Sequence, residues 1–151
     1  MIETAAPATE LPPLTHRMSF DVRPAELDSF GHVNNARYLE YLEWARAEWG
    51  RVRGLSYSRF HTWGVIPAVV EARLRFLKEC SLGDTLTIET TPEVKHRARI
   101  VFHQEITNQT GQRVLKAEVH IVAVDMKDRA FTEFPDNLIA LFGPGRSRPS
   151  G

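Results

Sequence analysis

The segment from Asp28 to Tyr38 reads DSFGHVNNARY, gathering one carboxylate, one glycine, one imidazole and two carboxamides just ahead of a long amphipathic stretch. A helix N-terminus carries unpaired backbone N–H groups and partial positive charge, which suits an anion or a developing oxyanion. Asp28 stands seven residues before Asn35, on the loop that leads to such a terminus. Gly31 lets the loop bend tightly or approach a ligand closely, where a side chain would obstruct it. A carbonyl carbon held between the Asp28 carboxylate and the helix N–H groups is what nucleophilic or general-base hydrolysis requires. The same residue types also make ordinary turns and caps, so composition alone leaves a plain helix entry open beside the hydrolytic reading.

Periodicity shows which elements must position these residues. Met18, Phe20 and Val22 alternate with Ser19, Asp21 and Arg23, the period of a half-buried strand. From Ala36 the spacing becomes helical: Tyr38, Leu42, Ala45, Trp49 and Val52 share one face of a helix of about five turns. Asn34 or Asn35 is expected to cap its start and Gly54 to stop it. Tyr41 and Trp44 widen the apolar surface, so the helix is expected to be covered on more than one side.

After a loop through GLSYSRFHTWG come four strand-like runs, VIPAVVEARLRFLK, DTLTIETT, RARIVFHQEI and RVLKAEVHIVAVD. In the first, Val70, Ala72, Leu74 and Phe76 are expected on one face and Glu71, Arg73 and Arg75 on the other. The last two are joined by TNQTGQ, a short Gly-containing connection between antiparallel neighbours. A short apolar run at 138–142 closes the pattern as a last helix. The order predicts an α+β architecture, a five-stranded antiparallel sheet wrapped around one long central helix. Such a sheet leaves long edges, which proteins usually cover or pair, so a homodimer or homotetramer is expected.

The whole chain sets the outer bounds. Its 151 residues, 42% hydrophobic and 25% charged with a formal net charge of zero, fit one domain with an ordinary core and no general affinity for nucleic acid or membrane. The opening, MIETAAPATELPPLTHR, lacks the pattern of a secretory signal; residues 1–16 read as a flexible arm, 17–142 as the domain and 143–151 as a flexible tail. Cys80 is the only cysteine, compatible with a reducing cytoplasm and with a passive thiol. Neither H-E-x-x-H, G-x-S-x-G nor a phosphate-binding G-x-x-x-x-G-K-[ST] occurs, so zinc, serine and nucleotide hydrolases lack their anchors.

The string D-x-x-G-H-V-N-N-A-x-Y-x-x-Y-x-E-x-A-R, from Asp28 to Arg46, resembles the signature of hotdog-fold thioesterases of the 4-hydroxybenzoyl-CoA thioesterase type. Within that group it is most similar to long-chain acyl-CoA thioesterases, and the likeness runs in order from about Met18 to Asp125, including EARLRFLKECSLGDTLTI. The resemblance implies an acyl-CoA thioesterase, or one acting on acyl-carrier thioesters, with no cofactor and no metal. A non-catalytic acyl-CoA-binding module on the same fold is the rival from another class.

The resemblance also assigns roles. Asp28 is implied as nucleophile or general base and the Asn35 backbone N–H as the group that polarises the thioester carbonyl. His32 is a candidate for orienting substrate or water, with a structural hydrogen bond as the alternative. Gly31 and Asn34 would shape the substrate's approach, and Tyr38, with Tyr41 and Trp44, would line an acyl tunnel or serve as core. Lys95, Arg97 and Arg99, in KHRAR, are the candidate contacts for coenzyme A phosphates at a strand start, with Arg73 and Arg75 as a second possibility across a subunit boundary. Relatives often carry Ser or Thr just after the basic residues, where this chain has Ala98 and Arg99.

Overall fold

The alternation at Met18 and Phe20 becomes β1 (His16–Asp21) in the computed structural model, which describes residues 11–143. The helical stripe becomes α1 (Arg37–Val52), 16 residues long and so about 24 Å at 1.5 Å per residue. Gly54 stops it as expected: at φ +81° it lets the Leu55 N–H reach the Gly50 carbonyl at 2.8 Å and its own N–H the Arg51 carbonyl at 3.1 Å. The strands that follow are β2 (Val65–Phe76), β3 (Thr85–His96), β4 (Arg99–Thr107) and β5 (Arg113–Asp125). They form an antiparallel sheet in the order β1-β3-β4-β5-β2, with a two-residue β6 (Phe131–Thr132) added alongside β5. α3 (Asp136–Ile139) and a following short turn of helix carry the closing apolar run.

α1 runs the length of one sheet face, and its two halves bury different strand ends. Its first half packs Tyr38, Tyr41 and Leu42 with Leu86, Ile106 and Leu115, from the start of β3, the end of β4 and the start of β5. Its second half packs Trp49 with Ile100, Phe102, Val119 and Phe134, at the opposite sheet end. The direction of α1 along β5 follows from these clusters, and it sets the start of the helix and the Trp49 cluster at opposite ends of the sheet.

Three expectations need correction. GLSYSRFHTWG is not all loop: Tyr57–Trp63 forms helix α2, capped by the Ser56 hydroxyl, which accepts the Arg59 N–H at 3.2 Å, and closed by Gly64 at φ +68°. In β2 the register skips between Val69 and Glu71, so Val70 leaves the phase of Ala72 and Leu74 and lines an outer groove with Arg99 and Val122. The expected arm is also shorter than 1–16. Leu14 offers its carbonyl to Trp49 Nε1 at 2.8 Å, Pro12 offers its own to Arg53 Nη1 at 2.6 Å, and the Thr15 hydroxyl bonds that of Thr91. The rest of the expected arm, 1–10, and of the expected tail, 144–151, lies outside the described residues. Among the described residues no helix is long and apolar enough to cross a membrane, and no cluster of His, Cys, Asp and Glu is placed to hold a metal.

Candidate active site

Between β1 and α1 the chain makes a narrow stapled loop. Leu27 pairs with Val33, the Asp28 N–H donates to the His32 carbonyl at 2.7 Å, and the Asn34 N–H donates to the Glu26 carbonyl at 2.9 Å. At its tip Asp28 opens a turn closed by the Gly31 N–H on the Asp28 carbonyl at 3.1 Å, and Gly31 holds φ +81°, a conformation that costs other residues energy. Nothing lies within 4 Å of where a Cβ on Gly31 would sit, so backbone conformation, not crowding, calls for glycine.

The turn also fixes the carboxylate. Asp28 Oδ1 accepts the N–H groups of Phe30 at 2.9 Å and His32 at 3.2 Å, while Oδ2 has no partner among the described residues. One oxygen is thus an anchor and the other is free for chemistry. His32 points elsewhere: its Nδ1 lies 3.2 Å from Glu79 Oε2, tying the loop to the β2–β3 connection, where the Val33 N–H also donates to the Cys80 carbonyl at 2.9 Å. The structure gives His32 a loop-holding contact.

Neither asparagine is the cap residue expected: α1 is entered from Ala36 without a side-chain cap, and Asn34 closes the turn just ahead of it. Asn34 Oδ1 accepts the Ala36 N–H at 2.9 Å and its carbonyl the Arg37 N–H at 2.9 Å. Asn35 is exposed, and its N–H meets no acceptor among the described residues. The turn into α1 therefore presents an open N–H at the residue assigned as carbonyl-polarising donor.

Beneath the loop sits a residue that the sequence reading did not single out. Glu26 is 4% exposed; its Oε1 accepts the Arg23 N–H at 2.8 Å and the Tyr41 hydroxyl at 2.9 Å, and its Oε2 accepts Arg23 Nη2 at 2.9 Å. Burial pushes this carboxyl's pKa up, but the Arg23 backbone and side chain and the Tyr41 hydroxyl outweigh it and hold the group below its ordinary range. A carboxyl with a lowered folded-state pKa contributes stability that is present above its unfolded value, about pH 4.3, and is lost as the pH falls through the folded value. Thermal melts from about pH 7 to 3 are therefore expected to show Glu26→Gln less stable than wild type by about 1–3 kcal/mol at neutral pH, converging in acid. Parallel curves would remove Glu26 from this role.

The remaining candidates scatter. Tyr38 is 4% exposed and packs on Tyr41, Phe76 and Cys80, so it is core; Tyr41 is fully buried, and Trp44 lies under the Arg23 guanidinium at 4.8 Å. Burial raises the pKa of both the Tyr38 hydroxyl and the Cys80 thiol, as expected of inert groups. KHRAR is not a strand start but a hairpin: Lys95 and His96 end β3, Arg97 and Ala98 turn, and Arg99 opens β4. Lys95 pairs with Glu93 at 3.0 Å and Arg97 with Asp136, whereas Arg99 has no ion pair among the described residues. Arg73 pairs with Glu71 at 2.8 Å, and Arg75 has no ion pair among the described residues. The hairpin stands at the far end of the sheet from Asp28, separated by the 12 residues of β3, roughly 35–40 Å at ~3.3 Å per residue. One protomer does not bring the carboxylate and this basic hairpin together.

An apolar cavity also lies away from Asp28. About 370 Å³ in volume, it runs between the second half of α1, α2 and the inner face of β2, β4 and β5, walled by Trp49, Phe60, Val69, Ile100 and Phe102, with Arg46 on one side.

Comparison with known proteins fits this architecture. A family model described as thioesterase-like superfamily matches residues 22–142. The long-chain acyl-CoA thioesterase FadM of Escherichia coli is 35% identical over 111 residues, spanning 70% of this chain and 80% of that protein. The chloroplastic acyl-acyl carrier protein thioesterase ATL2 of Arabidopsis thaliana is 31% identical over 129 residues, 85% of this chain and 68% of that one. In the backbone, the 1,4-dihydroxy-2-naphthoyl-CoA thioesterase from Synechocystis superposes with a TM-score of 0.79 at 22% identity, covering 85% of this chain and 95% of the other. The sheet wrapped on α1, the stapled carboxylate loop and these matches together place the chain in the thioesterase-like superfamily, as a thioester hydrolase of the hotdog fold.

Proposed function

We propose that this protein hydrolyses an acyl-CoA thioester to a free carboxylic acid and coenzyme A, with Asp28 as the catalytic carboxylate and the Asn35 N–H as oxyanion donor. The observation that carries the reading is a half-anchored Asp28, one oxygen held by two N–H groups and one free, on the same loop as an open N–H in the turn that enters α1. The free oxygen attacks the thioester carbon or takes a proton from a water that does so. Negative charge gathers on the carbonyl oxygen, where the Asn35 N–H and the α1 terminus stabilise it. The C–S bond then breaks, the thiolate leaves and acquires a proton, and in the nucleophilic route water cleaves the acyl–Asp28 anhydride. A thiolate leaves readily, so the first step requires no strong general acid.

The complete site in this reading needs two copies. β2 is a sheet edge on which Val69 is 52% and Val70 45% exposed. Antiparallel pairing of β2 with its copy, centred near Val70, covers both and sets Phe76 of one copy beside Val65 of the other. Phe76 stacks on Tyr38 at the start of α1, while Val65 and Pro67 pair with Asp125 and Ala123 at the far sheet end. One copy's Asp28 loop thereby faces the other copy's cavity and basic hairpin. That cavity receives the acyl group, with room for on the order of a dozen heavy atoms at ~30 Å³ each, and Arg99, the hairpin cation with no ion pair among the described residues, is the one left there for coenzyme A phosphate. The single cysteine fits work in a reducing compartment such as the cytoplasm.

The FadM and ATL2 likenesses make coenzyme A and acyl carrier protein the two thiol carriers to compare. Thiol release is to be measured on matched acyl-CoA and acyl-carrier esters of short, long and aromatic acids. Faster hydrolysis of the CoA esters is the expected result; faster release from the carrier moves the assignment to acyl-carrier thioesters. Tight acyl-CoA binding with no release from folded protein identifies a binding module and overturns the proposal.

A further inference from the structure

The basic side chain on the cavity wall has an unusual set of neighbours. Gln104, 2% exposed on β4, gives its amide N–H₂ to the Leu42 carbonyl and to Thr90 Oγ1, both at 3.0 Å. Its Oε1 remains, and Arg46, on the cavity wall, donates to it from Nη1 at 3.0 Å. A guanidinium has five N–H donors, and among the described residues Arg46 has no other acceptor and no carboxylate within ion-pair distance.

The same helix supplies a control. Arg37 pairs with Glu40 at 3.0 Å and Arg51 with Glu48 at 2.6 Å, each across three residues. Glu43 and Arg46 have the same spacing, yet no ion pair forms. Arg46 turns inward to neutral Gln104, half-buried beside Trp49 and Phe102 in a mostly apolar cavity that Glu43 also lines, and burial lowers its guanidinium pKa despite the opposing charge of Glu43. The remaining guanidinium N–H groups still reach water, since none is a buried atom without a partner, and a bound acyl chain that displaces this water imposes a cost unless it brings an acceptor of its own.

We propose that Arg46, aligned by Gln104, is a specificity-determining residue that donates to an acceptor oxygen on the acyl group, a hydroxyl, keto or carboxylate oxygen several carbons from the thioester. The inference rests on the reading of the cavity as the acyl site. The preferred substrates are oxygenated acyl esters, because an unsubstituted chain leaves the guanidinium donors unmet while a polar oxygen replaces the water they lose.

The test compares kcat/KM of the full chain on medium-chain acyl-CoA esters carrying a hydroxyl, keto or terminal carboxylate group at different carbons with the unsubstituted ester of equal length. Calorimetric binding of the corresponding free acids runs in parallel. Wild type is expected to favour the best oxygenated ester by roughly 10- to 100-fold, Arg46→Met to bring that ratio close to one, and Arg46→Lys to keep an intermediate preference. No oxygen preference in wild type overturns the inference while leaving the hydrolase reading intact. A uniform fall on all esters in Arg46→Met also overturns it, showing a structural role or a pairing with the partner copy. If Arg46→Met does not fold, the wild-type ratio and its change in Arg46→Lys decide. If no CoA ester is hydrolysed, the functional reading fails on its own, and Arg46-dependent binding of oxygenated over plain acids still decides this inference.

Discussion

Asp28→Asn is expected to lower turnover of the best acyl-CoA ester on the order of 10²- to 10⁴-fold with little change in thermal stability. The asymmetry of the carboxylate is the reason. The amide oxygen of asparagine takes over the two N–H bonds from Phe30 and His32, so the turn keeps its shape, while the free oxygen is replaced by an NH₂ that is neither nucleophile nor base. Asp28→Ala removes both acceptors as well, so it combines the same catalytic loss with a looser loop. The oxyanion donor is separable too. Asn35 lies in the turn ahead of α1 and its N–H makes no hydrogen bond among the described residues, so Asn35→Pro deletes the N–H without breaking a helical hydrogen bond. A loss of about 10²- to 10³-fold is expected for that variant. Thiol release with calorimetric melts on each protein checks both. A folded Asp28→Asn enzyme with near-wild-type kcat would sink the assignment of the carboxylate.

The parts of this molecule legible in the sequence are those where one residue type answers one local demand. The α1 stripe from Tyr38 to Trp49, the Gly54 stop and the turn glycine at Gly31 each report backbone geometry directly. α2 escaped because seven residues are too few to establish a helical period, although Ser56 was present as a cap. The skip at Val70 escaped because a bulge changes strand phase without demanding a particular residue. The resemblance made Lys95, Arg97 and Arg99 the candidate coenzyme A contacts, yet register places their hairpin at the other end of the sheet from the Asp28 loop. Glu26 and Gln104 are harder still. Both are polar groups whose burial depends on partners distant in sequence, Tyr41 for one and Leu42 and Thr90 for the other. The one signal for Gln104 was its place in phase with the inward Phe102 and Ile106.

The second large effect is expected at Val70, because the proposed site is shared. A residue near a two-fold axis meets its own copy, so Val70→Asp sets two carboxylates against each other where two half-exposed valines were to be covered. At the ~5.5 Å separation of paired strand positions and an effective dielectric of ~20, that repulsion is about 3 kcal/mol, with the lost apolar contact in addition. The fold of each copy has little reason to change, since Val70 lies outside the inner core at the point where β2 already departs from its ladder to β5. Sedimentation velocity should therefore show a dimer in wild type and a monomer in Val70→Asp. Turnover should fall to about 1% or less, because Asp28 loses the cavity that aligns the acyl group even though its own loop is untouched. Raising the protein concentration should restore activity together with the dimer. A wild-type monomer with full activity, or a monomeric Val70→Asp protein that hydrolyses normally, would show that each copy builds its site alone, and the acyl cavity would then have to be sought beside Phe30, Leu39 and Phe76, the exposed apolar side chains around the start of α1.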